Sequence, residues 1–388
     1  MKINNNHNIS LRNIFYIRNQ IKSTSFLLIS LFPYLISLFS EFTKPVRNLK
    51  YIRSFDRKSS KFGFATVRIQ SKILFLLTIV IIFTISPPSS FSRALSVPAD
   101  FIMRLVPPGS NNDFLRPSDI FIDKYTNEVL VTDPGKNRIM IFDSTGTFSF
   151  EFEGADYFST PTNIVVDSEG YIFILGSTKN GSKLFKFDFD GLFIKEFQLS
   201  NNNNVSLNPT CLTIENDILY IYDRSTIQIS SFDRDGNFIQ SIEILNKLED
   251  IVLKELVISS ITVQNEKIYI PVSTLGKIYI YELDGTSLNS IGRKGNNVGQ
   301  LNFPVEVKLL HNEILMVLDK HRTNVVCYDL NGKFLGEFGG KGSSPGWFYH
   351  PTLLEVNNQH QVYIGQIFNN KIQLCQIPQF ITEKIEGK

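Results

Sequence analysis

The sequence predicts an all-β fold, a six-bladed β-propeller preceded by an N-terminal apolar signal or anchor segment, and three observations carry that prediction. Six units begin at Pro117, Pro161, Pro209, Ile258, Pro304 and Pro351, in steps of 44, 48, 49, 46 and 47 residues. Most units hold four short apolar runs, and five of them place a Gly turn between the third run and the fourth. A period of this length with four strands describes one propeller blade. One blade cannot bury its own two faces, so the units are expected to fold together.

The first run of each unit reads PSDIFID, PTNIVVD, PTCLTIE, ISSITVQ, PVEVKLL and PTLLEVN. Continuous or alternating apolar and β-branched positions fit a strand packed between two neighbouring sheets. The second runs are EVLVTD, YIFILG, ILYIYD, KIYIPV, EILMVLD and QVYIGQ, and the third include RIMIFD, KLFKFD and KIYIYELD. Turns at Gly146, Gly191, Gly236, Gly285 and Gly332 follow, because a tight hairpin needs positive φ where glycine adopts it freely. The sixth unit lacks its last strand: after KIQLCQIP only QFITEKIEGK remains. Residues 101–106 (FIMRLV) are the expected replacement, pairing with 371–377 and leaving no open sheet edge; the C-terminal tail is the alternative partner.

The segments VTDPGKNRIMIFD (131–143) and VLDKHRTNVVCYDL (317–330) share the order Asp, turn, Asn or Arg, strand. The connections GSNNDFLRP, GNNVGQLNFP and GSSPGWFYHP are Gly-rich and end in a buried aromatic or Leu followed by Pro. These features resemble the NHL repeat family of six-bladed propellers, and the resemblance covers nearly all of the chain after residue 100. Units two, three and four depart from the motif: LGSTKNGSKLF lacks its Asp and Arg, YDRSTIQISSF is shortened, and PVSTLGKIYIY has neither residue. Related six-bladed propellers include metal-dependent lactonases and an amidating lyase. Likeness to the lyase calls for His ligands from several blades, whereas His311, His321, His350 and His360 all lie in units five and six.

Charge divides the chain. Residues 1–97 carry 14 Lys and Arg against Glu41 and Asp56, leaving 25 basic against 35 acidic residues for the propeller. An acidic propeller is a poor match for nucleic acid, whose affinity rests on phosphate neutralisation. A protein or small polar ligand is the expected partner. Apolar runs occupy 26–39 and 73–85, both shorter than the ~20 residues of a transmembrane helix, and the second has the length of a signal-peptide core. If both crossed, the segment between them would place nine Lys and Arg outside, against the positive-inside rule. The expected division is a basic extension over 1–66, a signal peptide or anchor over 67–97 and the propeller over 98–388. A natural start near Val67 would leave 1–66 outside the product. Small residues near Ala94 and Ser96 suit signal peptidase and equally suit a linker, so cleavage and membrane retention both stand. Either way the propeller is expected to be exported, periplasmic or extracellular.

The third residue of each innermost strand is expected near the axis: Asp119, Asn163, Cys211, Ser260, Glu306 and Leu353. Asp119, Asn163 and Glu306 are the channel candidates, able to hold Ca²⁺ through oxygen or simply to bond water and strand-end amides. Cys211, Cys327 and Cys375 read as buried thiols; CxxC spacing is missing. His321 and Arg322 stand at the turn where Asn137 and Arg138 stand in unit one. They and Arg138 are candidates for ligand or partner contact, against a structural reading in which Asp133 and Asp319 accept turn amides and the arginines pair with neighbouring blades. Trp347, beside Tyr349 and His350, is the candidate aromatic anchor, packing over a blade junction being the alternative. No catalytic residue is assigned and no cofactor beyond Ca²⁺ is considered. The chain reads as a non-catalytic binding or scaffold propeller presenting loops; the alternative is a lactonase-like, metal-dependent hydrolase or lyase using the channel.

Overall fold

A computed structural model describes residues 97–109, 113–154, 156–200, 205–245 and 255–386. The apolar runs, and with them the signal or anchor segment, lie outside the described residues. Among the described residues no helix is long and apolar enough to cross a membrane.

Six four-stranded antiparallel sheets follow one another along the chain, each ordered from an innermost to an outer strand. The sixth sheet closes as the short last unit requires. Its innermost strand Pro351–Val356, second strand Gln361–Gln366 and third strand Lys371–Gln376 come from the C-terminal end, and its outer strand Asp100–Arg104 from the other end of the propeller. Asp100 faces Gln376, Phe101 faces Cys375 and Arg104 faces Gln373. The tail takes a different part. Gln379–Glu386 forms a helix, and Ile381, fully buried, seats against Gly336 of the fifth blade's outer strand, where a Cβ would come within 2.6 Å of its Cδ1.

No blade holds a core of its own. The buried apolar residues fall into clusters that each straddle two neighbouring blades: Ile120, Val131 and Phe142 of blade one meet Leu353, Tyr363 and Leu374 of blade six, and Met316 and Val325 of blade five meet Val362 and Ile364 of blade six. This arrangement follows from second strands rich in apolar residues and buried at every position, as in Val129–Asp133 and Ile314–Asp319. Alternation would have left one face wet, and here both faces are covered. The linkers contribute too, since Phe114, Leu301 and Phe348, expected to be buried, are 2%, 0% and 0% exposed. The three cysteines are free and buried.

Turn chemistry repeats with the blades. Asp143, Asp188, Asp233 and Asp329 each accept backbone N–H groups two and four residues on, at 2.8–3.0 Å, and the following Gly146, Gly191, Gly236 and Gly332 have φ between +77° and +87°. A second device ties blade to linker. Asp133 accepts the N–H of Leu115 at 2.6 Å, and Asp319 accepts those of Asn302 and Phe303 at 2.6 and 3.0 Å. Both carboxylates are fully buried.

Ring closure yields a direct test. Leu105 follows the closing strand, is fully buried, and packs in the cluster shared by blades six and one. Leu105→Ala is expected to cost about 2–5 kcal/mol, as for other buried leucines. Removing residues 98–107 is expected to abolish cooperative unfolding by opening a sheet edge. Urea denaturation followed by circular dichroism reads both effects.

Candidate functional site

The six innermost strands converge on a central cavity of about 500 Å³. All six residues expected at the axis line it: Asp119, Asn163, Cys211, Ser260, Glu306 and Leu353. In blades two, three, five and six the register with the second strand shifts between the first residue of the innermost strand and the third. A bulge of this kind re-aims the residue beside it, which places the third side chain towards the axis.

Two residues further along each strand, a second tier lines the same cavity: Phe121, Val165, Thr213, Thr262, Lys308 and Glu355. The alternation of strand faces puts them there, so Lys308 and Glu355 were open to the same reasoning as Asp119 and Glu306. Lys308 of blade five and Glu355 of blade six form an ion pair at 2.6 Å. The channel is consequently lopsided. Blades five, six and one carry Glu306, Lys308, Glu355 and Asp119, while blades three and four present Cys211, Thr213, Ser260 and Thr262.

Asp119 is held firmly. Its Oδ1 accepts the N–H of Ile120 at 2.9 Å, and its Oδ2 accepts the N–H of Ile164 at 2.9 Å and the amide of Asn163 at 3.3 Å. Burial nevertheless dominates, pushing its carboxyl up to about 7 against the opposing pull of Lys308 and the backbone amides. Glu306 is pushed up to about 8, by burial first and then by the nearby Asp119 and Glu355 carboxylates against Lys308. These side chains are only half-buried by accessible surface, but they sit inside the ring, where surrounding protein replaces much of the bulk solvent. Burial alone would lower Lys308, and the Glu355, Glu306 and Asp119 carboxylates reverse this and raise it. Burial, with Glu306 adding to it, pushes the Cys211 thiol up to about 12. The thiol is therefore no nucleophile near neutrality.

Ca²⁺, considered from sequence, does not fit these residues. The oxygens of Asp119 already accept amide donors, the Lys308 ammonium stands among the carboxyls, and no three His, Cys, Asp or Glu side chains converge to hold a metal ion among the described residues.

The turn candidates divide. Arg138 is 5% exposed, its Nε 3.0 Å from Asp133 and its Nη1 2.7 Å from Glu151, both in its own blade. Arg322 grips Glu337 through Nη2 at 2.7 and 2.9 Å, and its Nη1 donates to the carbonyl of Gln300 at 2.6 Å. Both guanidinium groups are thus paired with carboxylates of their own blades. The pairing within one blade also departs from the cross-blade pairing expected. Register corrects one equivalence as well: Asp133 faces Arg138 and Asp319 faces Asn324, so Asn324, not Arg322, occupies the place of Arg138. The two arginines start from different turn positions and reach equivalent glutamates, since Met140 faces Glu151 and Val326 faces Glu337.

His321 is exposed and stacks on Phe303, 4.5 Å between ring centroids. Trp347 is half-buried over Gly342; its N–H donates to Ser344 and its carbonyl accepts from Gln373, each at 3.0 Å. Phe303, Lys320 and Ile367 line the cavity at the end where the innermost strands begin. His321 therefore lies at that mouth, as does Phe368, which is 66% exposed and touches His350 at 5.0 Å. At the opposite mouth Lys124 of blade one reaches past blade two to Glu215 of blade three, 2.6 Å away.

No protein-family model and no curated protein matches the chain. Solved structures do. A protein of unknown function from Bacteroides thetaiotaomicron has a TM-score of 0.53 at 11% identity, covering 72% of this chain and 74% of its own. A gluconolactonase from Xanthomonas campestris has a TM-score of 0.50 at 12% identity, covering 73% of this chain and 97% of its own. The virginiamycin B lyase of Staphylococcus aureus reaches 0.47 at 16%, covering 71% and 88%. At these identities the likeness is one of fold.

Two consequences can be measured. Asp119 and Glu306 keep their protons in the folded chain at pH values where the unfolded chain has released them. Their contribution to stability is present in acid and is lost as pH rises from about 4 through 8. Glu306→Gln is expected to raise Tm at pH 8.5, leave it nearly unchanged at pH 4.5, and flatten the profile between, read by calorimetry. Arg138→Ala leaves Asp133 buried and unpaired, and is expected to cost about 3–5 kcal/mol in urea denaturation.

Proposed function

We propose that the chain is a binding propeller whose central channel takes a small polar ligand bearing a positive charge, its mouth forming the recognition surface. The observation that carries this reading is the lopsided wall. Lys308 and Glu355 neutralise each other at 2.6 Å, so the two remaining acids, Asp119 and Glu306, have no cation of their own. A ligand ammonium or guanidinium on that side would replace their protons and compensate both carboxylates at once. Hydroxyls of Thr213, Ser260 and Thr262 across the channel supply neutral hydrogen-bonding partners, and His321 and Phe368 at the mouth supply aromatic contact. The basic-apolar-polar order of residues 67–97 supports export, with the membrane reached through that segment where it is retained.

A second reading keeps one specific observation in its favour. Carboxyls at about 7 and about 8, lining one channel, suit proton transfer near neutral pH, as a hydrolase or lyase needs. Small amines, their neutral isosteres and small carboxylates, titrated calorimetrically, separate the alternatives. Amines are expected to bind with release of protons, more tightly at pH 8.5 than at pH 6, and to lose binding in Asp119→Asn with Glu306→Gln. Equal binding of the neutral isosteres defeats the charge argument. Turnover of an ester or lactone that disappears in the same variants replaces the binding module with the channel enzyme.

A further inference from the structure

His311 and His360 lie 49 positions apart, in the hairpins that join innermost to second strands of blades five and six. The ring brings them together: their imidazole centroids are 4.6 Å apart, with planes at 58°. Both backbones are left-handed, φ +51° and +59°. Other blades solve the same conformational problem with asparagine: Asn216 and Asn265 stand in the turns of blades three and four at φ +51° and +54°, and Asn127 of blade one stands where His360 does, at φ +59°. Asparagine, histidine's nearest rival in that conformation, has no ring nitrogen to offer. Neighbouring blades thus present imidazoles where an amide elsewhere suffices.

Neither imidazole is engaged by a hydrogen bond, and the ring contact between them is their side-chain interaction. His311 is exposed and His360 half-buried, so a solvated ion can reach both. Two imidazoles bound to one tetrahedral ion through nitrogen at about 2.0–2.1 Å have centroids about 5 Å apart, within a few tenths of an ångström of the spacing here. Asn312, Asn357 and Asn358 share the adjoining cavity with His311 and leave room for water in the remaining coordination positions.

We propose that His311 and His360 form a two-histidine site for a late first-row divalent ion, Zn²⁺, Ni²⁺ or Cu²⁺, bridging blades five and six at the end of the ring where the innermost strands finish. Imidazole suits these ions, whereas Ca²⁺ and Mg²⁺ prefer oxygen. The site is separate from the carboxyl wall and does not rest on the channel's ligand. Bound metal links two hairpins on successive blades, so it stabilises the folded ring in proportion to its occupancy.

The test uses the full purified chain, stripped with chelator. Calorimetric titration with NiCl₂ and ZnCl₂ at pH 7.5 is expected to show one site per chain, and either salt is expected to raise Tm, with CaCl₂ and MgCl₂ as inactive controls. His311→Asn and His360→Asn, chosen because asparagine tolerates the same backbone conformation, are each expected to remove binding and the Tm rise while leaving metal-free Tm close to the parent. His321→Ala is expected to behave as the parent. Absence of binding in the parent, or binding that persists in the double His311→Asn, His360→Asn variant, overturns the site.

Discussion

The propeller depends on the pairing of Asp100–Arg104 with Lys371–Gln376, which closes six sheets into a ring. Each apolar cluster lies between two blades, so every blade needs a neighbour on both sides. An open ring would expose two such faces and an unpaired strand edge. Closure also fixes the axis, and the axis decides which positions of each innermost strand lose bulk water. The channel chemistry is therefore a consequence of the topology before it is a consequence of any one residue.

Within the channel, electrostatics and geometry pull in opposite directions. Asp119 accepts two backbone amides, an arrangement that by itself favours the ionised form. Burial outweighs it, because removal from bulk water disfavours the charged carboxylate more than these contacts favour it. Lys308 does not relieve the whole cluster, since Glu355 holds its ammonium at 2.6 Å. Residual acidity on one side of a polar cavity is what distinguishes this channel from a merely wet hole.

The top turns show how different local sequences serve one mechanical need. In blade one the guanidinium comes from Arg138, opposite Asp133; in blade five it comes from Arg322, two positions earlier in the turn. Both end on a glutamate of their own outer strand, Glu151 and Glu337. A buried carboxylate beneath the turn, Asp133 or Asp319, ties the incoming linker to the blade in each case. The paired charges in these loops reinforce the turns, and the nearby rim carries the aromatic contacts of His321 with Phe303 and of His350 with Phe368.

The sequence by itself determined the blade count, the strand order and the closing strand, because a repeat of hydrophobic runs and Gly turns is a local signal repeated six times over. It also placed Asp119, Asn163 and Glu306 at the axis, since position within a repeat maps directly onto distance from the centre. Lys308 and Glu355 were legible by the same alternation two residues on. Only the tertiary structure decided that they pair with each other, that Arg138 and Arg322 turn inward, and that His311 meets His360. Those outcomes depend on contacts between residues distant in the chain and on the register of facing strands. Neither is written in the periodicity of any one segment.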